Sequence, residues 1–418
     1  METDGSRTVR GALDAEGRWI SPATWTQRRG RTVSLVASRV RPELDVVLLP
    51  GLVNAHAHLD LAGSAPIPAG ESFADWLIEV GRVRRAARDP GLAAREQAGA
   101  LGLSGVVSIG DIDASQGCAT AGRRAAEVDG CSFLEIVGVP ADSARSRLIK
   151  ALSWVDLLGG RAGFGLSPHA PYSVNERVLP EIARAARRRG LRLAMHLAET
   201  EEETRYLLHG DGPFTRLLEA IGRGSPFASP PGLRPVAYAR AAGVLEGGAV
   251  VVHGNDLDDD DIGHLAATRS VVVYCHGTHM HFQRPRHRLL ELRLAGVEVA
   301  LGTDSDASND GVDLWRELGR IAHDRPDVPP LVLLRAATLG GRRALGEQAG
   351  AALFAPGSRA DGLALGAVPD GVESWSAEQV LAWALSGEAP VSATVHAGRW
   401  RWADGSCEPH LDTPPGGG

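Results

Sequence analysis

Two histidines separated by one residue, His56 and His58, follow a short apolar run near the start of the chain. The segment that carries them is expected to be extended. In a strand, residues i and i+2 point to the same face, roughly 6.6 Å apart. Two imidazoles on one face at a strand end can bind the same metal ion. Because histidine pairs are also common on protein surfaces, this metal prediction depends on further ligands at the ends of other strands.

Polar residues end four further apolar runs: His169, His196 with Glu199 three residues later, His253 and Asp304. Any one of them alone would more often be a satisfied core residue. Five strand ends of this kind together favour a metal centre. Neutral imidazoles and one carboxylate bind Zn²⁺ or Fe²⁺ and leave a position for water, whose pKa the ion lowers. One nearby carboxylate can then accept a proton and another can deliver one.

Eight apolar runs alternate with amphipathic segments from residue 51 onward. The runs are Val53 to His58, Gly105 to Asp111, Cys131 to Gly138, Gly163 to His169, Leu191 to His196, Ala249 to His253, Ser270 to Cys275, and Val297 to Asp304. This α/β alternation predicts a parallel sheet, and eight units predict a closed (β/α)₈ TIM barrel. The C-terminal strand ends of such a barrel converge on one site. An open doubly wound sheet is the alternative, but no Gly-x-Gly-x-x-Gly follows the first strand.

The amphipathic segments predict the helices between these strands. They are Phe73 to Leu101, Ala119 to Val128, Ala141 to Leu158, Glu176 to Arg189, Glu201 to Ile221, Asp258 to Ala267, Arg286 to Ala295, Gly311 to His323, and Pro330 to Leu345. The barrel is expected to span residues 50–356. Short strand-like pieces in residues 1–49 and 357–413 predict one small β-sandwich domain built from both termini. Residues 414–418 are expected to form a disordered tail.

Composition excludes several classes of protein. The chain of 418 residues has 44% hydrophobic content and a net charge of −7, which argues against a nucleic-acid partner. Its four cysteines show no C-x-x-C spacing, and no run of about 18 apolar residues predicts a membrane span. No apolar signal segment is visible at the N-terminus. These features together predict a cytoplasmic protein with no membrane partner.

Four stretches, in order along the chain, resemble motifs of the amidohydrolase superfamily. They lie at residues 50–60, 167–173, 196–200 and 301–305, and residues 357–361 match the point where that family's chain re-enters its β-domain. The similarity is to the cytosine deaminase-like branch. That branch includes deaminases of guanine, methylthioadenosine and aminofutalosine, as well as triazine chlorohydrolases.

The resemblance implies a role for each strand-end residue. It implies four metal ligands, which are His56, His58, His196 and Asp304. Asp304 would also accept the proton of the attacking water, and Glu199 would carry a proton to a ring nitrogen and then to the leaving group. His253 would hydrogen-bond the attacking hydroxide and the tetrahedral intermediate. His169 would contact the substrate.

Many superfamily members bridge two metal ions with a carbamylated lysine. The only lysine of this chain, Lys150, lies in a helical segment and not at a strand end. We therefore expect one divalent ion, with Zn²⁺ favoured and Fe²⁺ as the alternative. A binuclear, phosphotriesterase-like site would need another carboxylate as the bridge.

The segment after the histidine pair departs from the branch. Trp76 matches the family pattern, but the acidic residue that holds a ribose in nucleoside deaminases is not at its expected position. Arg82, Arg84 and Arg85 follow instead. A nucleoside substrate is therefore not supported by this segment. The arginines indicate either a site for an anionic substrate group or, as the favoured interpretation, a solvated helix face.

The seventh run also departs from the branch, which commonly has His-Cys-Pro followed by Ser-Asn. Here Tyr274 replaces the histidine and His279 replaces the asparagine. We expect substrate contacts from Trp76, Tyr274, His279 and Ser305. Two acidic residues on the second and third runs, Asp111 and Glu135, are expected either to line the pocket or to hydrogen-bond the residues that do.

The sequence therefore predicts a metal-dependent aminohydrolase. Water would attack an sp² ring carbon of a small nitrogen heterocycle, and ammonia would leave. One alternative is a hydrolase of the same fold that cleaves a C–Cl bond or a cyclic amide. A non-catalytic barrel used as a binding module is the alternative from another class. A small-molecule substrate is the expected partner, and a homodimer is expected only by analogy with the branch.

Overall fold

The computed structural model describes residues 4–86, 89–158, 162–220, 222–347 and 354–403, which form two eight-stranded sheets. The predicted tail at 414–418 lies outside the described residues. Five strands come first along the chain: β1 (Gly5–Leu13), β2 (Trp19–Ile20), β3 (Ala23–Arg28), β4 (Arg31–Ala37) and β5 (Leu44–Pro50). They belong to the terminal sheet, which is completed near the C-terminus.

The next eight strands form the second sheet. They are β6 (Leu52–Ala57), β7 (Val106–Asp113), β8 (Asp129–Ile136), β9 (Phe164–Pro168), β10 (Arg192–Leu197), β11 (Val250–His253), β12 (Val271–Tyr274) and β13 (Glu298–Leu301). Each pairs in parallel with the next, in sequence order. All eight predicted runs are strands of this sheet. The prediction of a TIM barrel is confirmed.

The barrel closes between its first strand and the segment that follows its last one. Ala57 and Asp304 form a parallel bridge. The backbone N–H groups of Thr303 and Asp304 donate to the carbonyl of His56 at 3.0 and 3.1 Å. The contact that closes the barrel therefore involves His56 and Asp304, two residues that were predicted to bind the metal ion.

The strands are buried on both faces, as parallel strands covered by helices must be. Val250 and Val252 of β11 belong to one apolar cluster, whereas Val251 between them belongs to another. Successive side chains of a strand point to opposite faces. This alternation explains why β11 and β12 consist almost entirely of valine: one face fills the barrel and the other receives the helices.

The three remaining strands, β14 (Gly362–Leu365), β15 (Val391–His396) and β16 (Arg399–Trp402), complete the terminal sheet. Its order is β16-β15-β14-β5-β1-β3-β4, with β2 paired to β1. Trp25 is fully buried at its core and meets Phe354 edge-to-face, with ring centroids 5.0 Å apart. Both termini thus contribute to one small β-domain beside the barrel.

Fifteen α-helices lie in the described residues: α1 (Phe73–Ala86), α2 (Pro90–Leu103), α3 (Cys118–Ala125), α4 (Ala141–Leu157), α5 (Leu179–Arg189), α6 (Glu201–His209), α7 (Pro213–Ala220), α8 (Pro235–Ala241), α9 (Asp259–Thr268), α10 (His276–His281), α11 (Leu289–Leu294), α12 (Leu314–Asp324), α13 (Pro330–Arg335), α14 (Gly341–Leu345) and α15 (Ala377–Leu385). A π-helical turn, Ala336–Gly340, joins α13 to α14. Among the residues described, no helix has the length and apolar character needed to cross a membrane.

Two predicted helices are each divided in the structure. The helix predicted from Phe73 to Leu101 is interrupted before Pro90, where Asp89 caps α2 by accepting from the N–H groups of Gly91 and Leu92. Proline suits the first turn of a helix and not its interior. The helix predicted from Glu201 to Ile221 ends at Gly210, which has a φ of 72°, and α7 then starts at a proline. Three helices, α8, α10 and α15, were not predicted.

A buried carboxylate connects the end of the barrel to the terminal sheet. Asp361 is 3% exposed and accepts hydrogen bonds from Arg342 of α14 at 3.0 Å and from the backbone N–H of Ala397 at 2.9 Å. The Nε atom of Arg359 lies 3.0 Å from the same carboxylate. Removing one member of a buried pair leaves the other charge without full compensation.

We therefore expect Asp361→Ala to lower the free energy of unfolding by about 3 kcal/mol. The matched control is Asp45→Ala, which removes a carboxylate that pairs with Arg10 at 3.0 Å but is 63% exposed. That change should cost less than about 1 kcal/mol. Urea titrations followed by circular dichroism measure both values. Equal losses in the two variants would contradict a structural role for the buried carboxylate.

Candidate metal centre and active site

Four side chains predicted to carry chemistry meet at the C-terminal end of the barrel. His56 lies on β6, His196 on β10 and His253 at the end of β11, and Asp304 follows β13 by three residues. Their exposed fractions range from 0% for His56 to 6% for Asp304. The parallel order of the strands brings together residues that lie up to 248 positions apart.

The polar atoms of this cluster are close enough to share one ion. The Nε2 atoms of His58 and His196 are 3.2 Å apart. The Oδ1 atom of Asp304 lies 3.6 Å from His56 Nε2 and 3.7 Å from His58 Nε2. Two triads, His56–His58–His196 and His56–His253–Asp304, each hold their ligand atoms within 4.8 Å of one another.

His56 gives the clearest sign that the cluster suits a metal ion. Its side chain is fully buried, and neither ring nitrogen has a hydrogen-bond partner. Leaving a buried polar atom without a partner costs roughly 1–3 kcal/mol. A divalent ion would satisfy the Nε2 lone pair, and three imidazoles with one carboxylate are ligands that zinc accepts. The residues present therefore fit such an ion.

Neighbouring groups orient the candidate ligands. His196 Nδ1 lies 3.1 Å from the carbonyl oxygen of His169, so its N–H can donate there while Nε2 faces the cluster. Asp304 Oδ2 accepts hydrogen bonds from the hydroxyls of Thr278 at 3.0 Å and Ser308 at 3.3 Å. Such outer contacts fix the direction of a metal-binding side chain.

Backbone strain concentrates at the same strand ends. Ala198, His253 and Asp304 have φ values of 52°, 73° and 59°. Residues other than glycine rarely adopt this left-handed region, and each instance costs of order 1–3 kcal/mol. The turn at Ala198 lies between His196 and Glu199. The strained conformations therefore set the directions in which polar side chains leave the strands.

The two carboxyl groups of the site have opposite pKa shifts. Burial and the charge of Asp304 hold the pKa of Glu199 well above its ordinary value. Burial also acts to raise the pKa of Asp304, but the facing imidazoles of His56, His58 and His253 outweigh burial, so the pKa of Asp304 is lowered. Glu199 is thus suited to donate a proton and Asp304 to accept one. His253 lies between them, with Nε2 3.6 Å from Glu199 Oε1 and 3.9 Å from Asp304 Oδ2.

Four histidines of the site, His58, His169, His196 and His253, favour the neutral form. Burial, together with neighbouring imidazoles, holds the pKa of His58 and of His196 well below the ordinary value. Burial lowers the pKa of His253 to about 3 and also lowers that of His169. A neutral imidazole has the free lone pair that metal binding requires.

A cavity of about 340 Å³ opens above this cluster. His58, His196, Glu199, His253 and Asp304 line it, and so do three residues predicted to bind substrate: Trp76, His169 and Ser305. The rest of the wall is mostly apolar, with Leu61, Phe73, Leu77, Ile78, Val80, Val137, Val139, Tyr172, Leu217 and Leu218. Its polar members are Arg84, Arg85, Glu135, Ser173 and Arg223. A planar ring can therefore approach the polar groups while the rest of the ligand contacts apolar side chains.

Tyr274 and His279, also predicted to bind substrate, do not line this cavity. The Tyr274 hydroxyl lies 2.8 Å from His276 Nδ1, and His276 Nε2 lies 2.8 Å from Asp324. His279 Nδ1 lies 3.2 Å from Asn255 Oδ1, and the Asn255 amide donates to the carbonyl of Glu199. We assign both residues to a supporting layer behind the site.

The arginines after Trp76 differ from one another. Arg82 is exposed and pairs with Glu79, as expected of a solvated helix face. Arg84 lines the cavity, with Nε 2.8 Å from Asp60 and Nη2 3.4 Å from His58 Nδ1. For Arg84 the favoured interpretation was therefore wrong. Helical periodicity alone did not reveal that this arginine turns towards the barrel.

Asp111 and Glu135 were expected either to line the pocket or to hydrogen-bond the residues that do. Glu135 lines the cavity, whereas Asp111 accepts a hydrogen bond from the backbone N–H of Leu59 at 3.0 Å. A third acidic residue, Glu203 in the first turn of α6, is fully buried beneath the Ala198 turn. Its Oε2 atom accepts from the backbone N–H of Glu199 at 2.9 Å. Burial raises the pKa of Glu203 to about 8, although hydrogen bonds from the backbone of Glu199 and Ala198 oppose the shift.

Comparison with known proteins identifies relatives of the chain. The profile described as "Amidohydrolase family" matches residues 47–389. Aminodeoxyfutalosine deaminase of Deinococcus radiodurans is 33% identical over 316 residues, covering 72% of this chain and 73% of the relative. The 5-methylthioadenosine/S-adenosylhomocysteine deaminase of Haloarcula marismortui is 29% identical over 328 residues, covering 73% and 70%.

The fold also resembles that of a solved structure. The chain superposes on an adenosine deaminase from Xanthomonas campestris, solved with bound zinc, with a TM-score of 0.75 and 21% identity. The match covers 96% of this chain and 93% of the other. This similarity extends through both the barrel and the terminal sheet.

We expect the purified chain to bind one zinc ion and His56→Asn to lower its zinc affinity at least about 100-fold, because a candidate ligand is lost. The control is His276→Asn, since His276 is also buried but pairs with Asp324 outside the site. Competition with a chromophoric chelator measures the affinity. Wild-type affinity in His56→Asn would exclude this histidine as a ligand.

Glu203 should also make stability depend on pH. Its pKa is raised from 4.5 to about 8 on folding, so between these values the native state keeps a proton that the unfolded chain loses. Stability should therefore fall as the pH rises through this window. In Glu203→Gln the amide oxygen still accepts backbone hydrogen bonds but does not titrate.

Urea unfolding at about pH 5 and about pH 8 should show a smaller loss of stability for Glu203→Gln than for the wild type. Glu201→Gln, at an exposed position of the same helix, controls for the change in charge. Parallel pH profiles of the wild type and Glu203→Gln would contradict the buried, protonated state.

Proposed function

Because the chain belongs to the amidohydrolase family, we propose that it deaminates the adenine ring of a nucleoside with an apolar group on its sugar. The general reaction class follows from the relatives of the chain. It is a metal-dependent deaminase of a nitrogen heterocycle, and therefore a hydrolase of carbon–nitrogen bonds. The substrate and the residue roles given below are proposals.

The observation that supports the substrate proposal is that polar and apolar residues line different parts of the cavity. Its base has the buried polar cluster, whereas its wall includes Phe73, Trp76, Leu217 and Leu218. A volume of about 340 Å³ suits a small ligand. The Haloarcula relative is named for 5-methylthioadenosine and S-adenosylhomocysteine, and the methylthio group of the first agrees with an apolar substituent against the wall. This proposal differs from the expectation drawn from the missing ribose-binding acid.

We propose that His56, His58, His196 and Asp304 hold one divalent ion. Zinc is favoured over iron because the donor set suits it and the Xanthomonas structure contains zinc. When bound, such an ion lowers the pKa of a coordinated water towards neutrality. The protein groups then perform the proton transfers.

In the proposed reaction, the oxygen of water adds to the ring carbon that bears the amino group, and Asp304 takes the released proton. Glu199, kept protonated by burial, donates its proton to the adjacent ring nitrogen, which makes the carbon more electrophilic. His253 Nε2 faces both carboxyls, where its N–H can donate to the new hydroxyl.

The tetrahedral intermediate then collapses. The amino group takes the proton held by Asp304, the carbon–nitrogen bond breaks, and ammonia leaves. The hydroxyl proton moves to Glu199 as the ring carbon becomes a carbonyl. Both carboxyl groups thereby return to their starting states, and one water is consumed for each ammonia released.

Asp304→Asn should lower kcat by at least about 10³-fold, because the amide cannot accept the proton. Circular dichroism should show an unchanged fold. The control is Asp306→Asn, two residues away, where the carboxylate accepts from the backbone of Gly63 at 2.7 Å. That variant should retain kcat within about threefold. Near wild-type turnover by Asp304→Asn would refute the assigned base.

A substrate panel tests the proposed specificity. We expect kcat/KM for ammonia release from 5′-methylthioadenosine to exceed that from adenosine at least about tenfold, because the substituent buries apolar area. Trp76→Ala should reduce this preference. Chloride release from a chlorotriazine that exceeded every rate of ammonia release would favour the dechlorination alternative. Binding of nucleosides without turnover by the zinc-loaded protein would favour the binding module.

A further inference from the structure

A second cavity lies at the opposite end of the barrel from the candidate active site. Its volume is about 750 Å³, and it is lined by residues at the N-terminal ends of β8 and β9 and by residues of the terminal sheet. Six arginines line it: Arg29, Arg123, Arg124, Arg359, Arg399 and Arg401. The lining has only two carboxylates, Glu127 and Asp129. We call this cavity the basic cleft. Its excess of arginines over carboxylates contrasts with the net charge of −7 of the whole chain.

Both carboxylates of the basic cleft are already paired. Glu127 lies 2.9 Å from Arg401, and Asp129 contacts both Arg359 and His396. Arg123, which is 2% exposed, donates to the carbonyl of Val128 at 2.9 Å and to Ser132 at 3.1 Å. These contacts leave no lining carboxylate to neutralise the other arginines.

Three exposed guanidinium groups of the cleft have no carboxylate partner among the described residues: those of Arg29, Arg124 and Arg399. Arg29 lies in the turn between β3 and β4, and Arg399 begins β16, so both come from the terminal sheet. Arg124 lies in the last turn of α3 on the barrel and packs over the ring of Phe164 at 4.8 Å. Like charges gathered in one concave surface repel each other unless an anion lies between them.

We propose that the basic cleft binds a small phosphorylated ligand with two or more linked phosphates, of the size of a nucleoside triphosphate. The guanidinium group matches the geometry of phosphate oxygens, and three unpaired arginines suit several negative charges better than one carboxylate. The volume is in the range of small-molecule sites. The net negative charge of the chain argues against an extended nucleic acid.

This ligand would not compete with the deaminase substrate. The basic cleft and the active-site cavity have no lining residue in common. A ligand held by Arg124 of the barrel and by Arg29 and Arg399 of the terminal sheet would join the two sheets. Because it would bind only the folded chain, it should raise the melting temperature.

The test uses inorganic tripolyphosphate as the probe and the full-length chain as the protein. We expect saturable binding by isothermal titration calorimetry, and a higher Tm than in sulfate of equal ionic strength. The double variant Arg29→Gln/Arg399→Gln should weaken the Kd at least about tenfold. Arg184→Gln/Arg188→Gln, which removes two exposed arginines of α5 outside the cleft, should change it less than about twofold.

Absence of saturable binding, or equal weakening in the two double variants, would overturn the proposal. Tighter binding of a single-stranded RNA oligonucleotide than of tripolyphosphate, lost in Arg29→Gln/Arg399→Gln, would also overturn it in favour of a nucleic-acid surface. None of these readouts uses deaminase turnover, so the result is independent of the proposed reaction.

Discussion

The closure of the barrel at His56 and Asp304 is the contact on which the candidate active site depends. Two backbone hydrogen bonds to the His56 carbonyl fix the segment after the last strand against the first one. The same contact places the His56 imidazole and the Asp304 carboxylate 3.6 Å apart. A pair of candidate metal ligands is therefore positioned by main-chain hydrogen bonds. The left-handed conformations at His253 and Asp304 are tolerated because this closed frame leaves the chain no relaxed alternative.

The barrel was predictable from sequence because its signals are local and repeated. Each strand is a short apolar run, and in five cases a polar residue follows at the end that must face the site. Strand-end position therefore predicted that His56, His196, His253 and Asp304 would meet. Helix lengths were less well predicted, because Pro90 and Gly210 interrupt otherwise continuous amphipathic patterns.

Other features of the site depend on the direction in which each side chain points. The spacing of residues along the sequence does not determine that direction. Arg84 and Arg82 are two residues apart on one helix, yet one turns towards Asp60 and the cavity and the other lies in solvent. Tyr274 ends its strand like the other predicted residues, but its hydroxyl turns towards His276 and away from the cavity. Glu203 was hidden among three consecutive glutamates, of which it is the fully buried one.

The terminal sheet has a consequence for biosynthesis. Strand β5 pairs with β14, and more than 300 residues separate these neighbours along the chain. During translation, β5 therefore emerges long before its partner and presents an unpaired edge while the barrel is still being made. An exposed edge of this kind is a template for pairing with other chains. Temporary shielding of this edge by a chaperone would be most useful between synthesis of the first strand of the barrel and release of the last segment of the sheet.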